Sequence, residues 1–128
     1  MGLVGTVVDV PARRRTDPAL GRAALERALA AETPQPDDLR DATRFLLEEL
    51  AARAPGRTVE VRVPPYGAVQ CVEGPRHTRG TPANVVELDA FTWVQLGAGR
   101  LVWSDAVAQG RVSASGGRAD LGALLPLV

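Results

Sequence analysis

Between Asp37 and Ala54 the side chains Leu39, Thr43, Leu46 and Leu50 recur every three to four positions, and Phe45 and Leu47 widen the stripe. That period predicts an amphipathic helix. Arg40, Asp41, Arg44, Glu48 and Glu49 fall toward water, with Arg44 and Glu48 spaced as an i,i+4 pair worth only about 0.3 kcal/mol. Pro55-Gly56 ends the helix. A shorter one precedes it, beginning at Asp17 with Pro18 preorganised at its first position. Its narrow apolar face is Ala24, Leu25, Ala28 and Leu29, and Thr33-Pro34-Gln35-Pro36 separates the two, because proline is costly inside a helix. Beyond Gly56 the period drops to two. Val59, Val61 and Val63 alternate with Glu60 and Arg62, so Thr58–Val63 is predicted as a strand with one wet face. Pro64-Pro65-Tyr66-Gly67 turns the chain, Ala68–Glu73 returns as a hairpin partner, and Asn84–Leu88 is a third strand.

The densest pattern runs from Asp89 to Gly116. Asp89 is placed to cap a helix carrying Trp93 and Leu96, which Gly97 and Gly99 terminate where a positive φ is needed. Leu101, Trp103, Ala106 and Val107 start a second short helix closed by Gly110, and Arg111–Ser115 alternates as a strand. Ala119–Leu125 reads as a final amphipathic helix with Leu121, Leu124 and Leu125 on one side, stopped by Pro126. The sum is an α+β domain: an antiparallel sheet of four or five strands with helices packed on one face. Residues 16–128 form this single domain, and residues 1–15 form an N-terminal segment. Within that segment Gly2–Val10 is apolar and β-leaning, and reads as an edge strand or as a poorly ordered start.

Composition narrows the functional classes. The chain has 128 residues, large enough for one core, with 45% hydrophobic and 23% charged residues as in globular proteins. All 15 basic side chains are arginine, which points to a GC-rich bacterial genome. Acidic and basic residues balance to a formal net charge of zero, so no global field draws nucleic acid or an anionic membrane. Arg13-Arg14-Arg15, without interleaved aromatics, reads as a solvated segment. Cys71 is the only cysteine, which excludes an intrachain disulfide; with no secretory signal at the N-terminus, the cytoplasm is the expected compartment. No apolar run reaches the roughly 18 residues of a membrane span.

The run from Asp89 to about Leu125 resembles the sterol carrier protein (lipid-transfer) family. Gly99-Arg100-Leu101 fits one glycine signature of that family, and Ala106, Val107, Gly110-Arg111-Val112 and Gly116 fit a second at matching spacing. Trp93 and Leu96 stand where the family places a Phe and a Leu, and the long helix ahead of the sheet agrees with its plan. The resemblance implies an apolar tunnel bordered by the terminal helix, and hence a lipid carrier rather than an enzyme.

Candidate chemistry follows from three places. The apolar residues Trp93, Leu96, Leu101, Trp103, Val107, Leu121, Leu124 and Leu125 either fill one core or line a cavity for a small apolar or amphipathic ligand. An eight-carbon guest chain buried there would gain on the order of 6 kcal/mol, at roughly 0.8 per methylene, before binding costs. The loop Gly74–Pro82 holds the only histidine, His77, between Arg76 and Arg79, and is the candidate anion or head-group site. Its plain alternative is a solvated loop whose arginines pair with Glu73, Glu87 or Asp89. Cys71 and His77 lack an orienting acid for a nucleophile–base pair, and one Cys with one His does not make a metal site. No cofactor fingerprint is present, and neither a basic helix nor stacking aromatics point to nucleic acid. The expected function is therefore a non-catalytic carrier of a lipid-like ligand. The first rival is a ligand-free accessory module for a partner enzyme, like the similar domain C-terminal to maleylpyruvate-isomerase-type proteins, with a homodimer left open. The second is an enzyme acting on a small acidic substrate through the histidine loop.

Overall fold

A computed structural model of the chain describes residues 15–74 and 84–128. Helix α1 (Pro18–Ala30) starts as its sequence dictates: the Asp17 carboxylate accepts from the Ala19 N–H, and Pro18 occupies the first turn. Helix α2 (Pro36–Arg53) opens on Pro36, with Asp37 and Asp38 at the positive end of its dipole. Strands β1 (Val59–Val63) and β2 (Gly67–Cys71) form the hairpin, and β3 (Asn84–Leu88) follows. Helices α3 (Ala90–Gly97) and α4 (Trp103–Ala108) then lead into β4 (Val112–Ser115).

The four strands lie in the order β2-β1-β3-β4, and β1 and β3 are parallel. The sheet is therefore mixed, not antiparallel as the sequence suggested. The cause is where the chain re-enters. Cys71, at the end of β2, pairs with Val59, and Asn84, at the start of β3, pairs with Val59 from the other side. A strand that begins beside the first residue of β1 runs in the direction of β1. The Asn84 side chain fixes that entry point, donating to the Thr58 carbonyl and accepting from the Arg118 N–H.

One face of the sheet carries Val59, Val61, Val63, Val86 and Leu88, all buried. The helices cover this face: α2 packs on β2, and α1 and α3 pack on α2. Phe45, Leu46 and Leu50 of α2 meet Trp93 and Leu96 of α3 in one continuous core. The Trp93 indole N–H donates to the Thr43 carbonyl, so the ring is buried with its polar end partnered. Gly97 is the last residue of α3 and has no positive φ; a Cβ there would lie 2.7 Å from Leu46 Cδ1, so close packing is what requires glycine.

The C-terminal segment departs from expectation. Ala119–Leu125 contains only a single 3-10 turn, Gly122–Leu124, where a helix was expected. Leu127 and Val128 donate their N–H groups to the Gly97 carbonyl, so the tail satisfies its backbone on α3 instead of on itself. Strand β2 also ends early. Val72 turns to φ 69° and sends its N–H to the Ala54 carbonyl at 2.7 Å, which removes it from the ladder. The readings of Gly2–Val10, Arg13 and Arg14 lie outside the described residues.

Candidate ligand-binding site

Where α1 begins, α2 and the β1–β2 hairpin leave a half-open groove of about 660 Å³ between them. Small-molecule sites typically occupy roughly 300–1,000 Å³. Its apolar lining comes from Leu20, Leu47, Tyr66 and Val69, and its charged lining from Arg44, Glu48 and others. Leu20 is 67% exposed, the most exposed large apolar side chain among the described residues. The walls are pinned by polar contacts between elements. Glu48 accepts from the Arg15 and Thr16 N–H groups at 3.2 and 3.1 Å, which holds the entry to α1 against α2. Arg44 donates through Nε to the Tyr66 carbonyl at 3.0 Å, which holds the hairpin turn against the same helix. Both members of the expected Arg44–Glu48 pair are thus engaged with other elements.

The expected apolar site residues mostly do come together, but as core. Trp93, Leu96 and Leu121 are fully buried, Trp103 is 9% exposed, and Leu101, Leu124 and Leu125 are partly buried against the same cluster. Val107 stands apart at 47% exposure on α4. None of the eight lines this groove or the second concavity described below. Arg76, His77 and Arg79 lie outside the described residues. Sequence reasoning passed over the groove residues. The one available signal was Leu20, an apolar residue off the Ala24–Leu25–Ala28–Leu29 stripe.

The second concavity, about 360 Å³ and shallow, lies where β3 meets α3 and β4. Asp89 caps α3 here, accepting from the Thr92 N–H at 3.1 Å and the Thr92 hydroxyl at 2.6 Å. Arg111 donates to the same hydroxyl and to Gln95, so the turn before β4 is tied to α3. Partial burial disfavours the Asp89 charge, but the two Thr92 hydrogen bonds, its own backbone N–H and nearby Arg111 outweigh this and hold the carboxyl below its ordinary 3.8. A depressed folded pKa means the stabilisation is complete above the unfolded value and is lost as pH falls through the folded one. Asp89→Asn keeps an amide oxygen for capping and removes the titration. Urea unfolding should therefore show the parent ahead of Asp89→Asn at neutral pH, with the gap closing in the acid range. A gap independent of pH would refute this account of the cap.

Among the described residues the one thiol is that of Cys71, and it is buried. Burial pushes the Cys71 thiol up to about 11, which keeps it protonated and poor as a nucleophile. No three His, Cys, Asp or Glu side chains gather there as a metal ion would need. No described helix is long and apolar enough to cross a membrane.

Comparison with known families places these features. The family model described as bacterial SCP ortholog, a sterol carrier protein-like group, matches residues 35–127. The chain belongs to this family. No curated protein matches it. The family match starts at Gln35, just before α2, so α2, the hairpin, the α3–α4 unit and β4 are family structure. Helix α1, which supplies the Leu20 wall of the groove, precedes the matched residues.

Proposed function

We propose that this bacterial SCP-family protein is a non-catalytic binding and carrier protein for a small amphipathic, lipid-like ligand, held in the groove between α1, α2 and the β1–β2 hairpin. The groove itself is the observation that carries the reading: it has the volume of a small-molecule site, with both apolar and charged side chains in its lining. An acyl chain lying along Leu20, Leu47 and Val69 removes apolar surface from water, at about 25 cal/mol for each Å². The Arg44 guanidinium, steadied through Nε, is placed to meet a carboxylate or phosphate head group. Binding and release are then partition events in which no bond is made or broken.

Lipid extraction from purified protein, followed by mass spectrometry and uptake of a labelled fatty acid, tests the reading. Uptake should be weakened about tenfold in Leu20→Ser, since one apolar side chain against a ligand is worth roughly 1.5 kcal/mol. Empty protein that also takes up no fatty acid would refute it. The burial of Trp93, Leu96 and Leu121 in one cluster is what a side-chain-filled interior would show, and it supports a second reading, a ligand-free module that docks on a partner enzyme. Co-purification of a partner with lipid-free protein would support that reading.

A further inference from the structure

An arginine on a helix surface commonly finds a carboxylate one turn away. Of the three arginines in α2, two do: Arg40 pairs with Asp37 at 3.3 Å and also with neighbouring Asp41, and Arg53 pairs with Glu49 at 3.1 Å. Arg44 is flanked in the same way, by Asp41 three residues before it and Glu48 four residues after. Among the described residues it nevertheless forms no ion pair, and both flanking carboxylates serve other donors. Asp41 accepts from Arg40 Nε at 2.9 Å. Glu48 accepts from the Thr16 hydroxyl as well as from the two N–H groups that lead into α1.

The Arg44 guanidinium is held all the same. Its Nε is committed to the Tyr66 carbonyl, while its two terminal nitrogens have no protein partner among the described residues. Such an end-on fork matches the paired oxygens of a carboxylate or phosphate. Leu20, Leu47 and Val69 line the same groove. We propose that the groove selects its guest by charge, taking amphiphiles that end in a compact oxyanion over neutral lipids, sterols included, and over cationic ones, with Arg44 setting the preference. This selection presupposes the carrier reading and names the class of guest. An alcohol can accept from the fork but brings no charge, whereas an oxyanion brings charge and two acceptors. A cationic head group would meet Arg44 as a like charge, and Asp41 and Glu48 are already hydrogen-bonded. Arg44 is exposed, so its charge is hydrated until a guest arrives and the preference is modest, about fivefold.

Probes sharing one ten-carbon chain test it: decanoate, decyl phosphate, decanol and decyltrimethylammonium, each titrated into the delipidated full chain and followed at the Leu20 and Val69 amides. The two anions should bind about fivefold more tightly than decanol, an advantage that shrinks as salt rises. The cation should bind no more tightly than decanol. Arg44→Gln should bring the anions down to the decanol value and leave decanol unchanged, and Arg44→Lys should restore part of the preference. A ratio of affinities within one variant is insensitive to general loosening of the fold. A difference between the two anions supports the selection and says which oxyanion fits better. Decanol binding as tightly as decanoate, the cation binding more tightly than decanol, or a ratio untouched by Arg44→Gln would overturn charge selection and leave the carrier reading standing. Failure of every probe to bind would remove both.

Discussion

Trp93→Ala is expected to destabilise the protein by about 3–5 kcal/mol, the range for emptying a buried aromatic site. The ring is completely buried between α3 and α2, and Phe45, Leu46 and Leu96 share its cluster without exposure of their own. Such a neighbourhood cannot collapse without moving α3. The indole N–H also leaves its bond to the Thr43 carbonyl. A domain of this size has a total stability of about 5–15 kcal/mol, so the variant should unfold at much lower urea, with Trp103 remaining as the fluorescent reporter. Trp93→Phe keeps most of the volume and should lose much less. A small loss for alanine would mean that the space beneath the ring is already open, as a preformed interior cavity requires.

Gly56→Ala is expected to cost on the order of 3 kcal/mol or more, combining about 1–3 for overpacking with about 1–2 for an unfavourable backbone conformation. Gly56 has φ 150°, and a Cβ there would fall 2.1 Å from the Val72 carbonyl oxygen and 2.5 Å from the Glu73 nitrogen. Both obstacles are backbone, and neither can rotate away. They are also held: Val72 donates to Ala54, and its carbonyl accepts from Thr58. Gly110→Ala is the control. Gly110 has φ 72° but open space around it, so it should show the backbone cost alone. Equal thermal or urea midpoints for the two variants would disprove the steric explanation.

The parts legible in the sequence were those where local chemistry decides. The Leu39–Leu50 stripe, the Val59/Val61/Val63 alternation and the Asp17 and Asp89 caps all sit in the elements their patterns predict. The direction of β3 was not legible, because Asn84 fixes its start through partners far along the chain, the Thr58 carbonyl and the Arg118 N–H. That start lies beside Val59, so β3 runs parallel to β1. The C-terminal segment misled because Leu121, Leu124 and Leu125 have helical spacing, while the tail's last N–H groups go to Gly97.

The candidate site was hidden for a related reason. The apolar residues Trp93, Leu96 and Leu121 are buried in one cluster, and a filled core and a lined cavity share one hydrophobic pattern. The groove is braced instead by polar residues whose partners lie far along the chain, Glu48 with Thr16 and Arg44 with Tyr66. Periodicity reads Arg44 and Glu48 as solvated helix surface. Only the tertiary contacts show that they brace a concavity.

A titration of isotopically labelled protein with dodecanoate, followed residue by residue in solution, tests the groove most directly. Saturable shifts centred on the amides of Leu20, Glu48 and Val69, with the Trp93 and Trp103 indole signals unmoved, are the predicted result. Shifts centred on those two indoles, or none at any concentration, would contradict it.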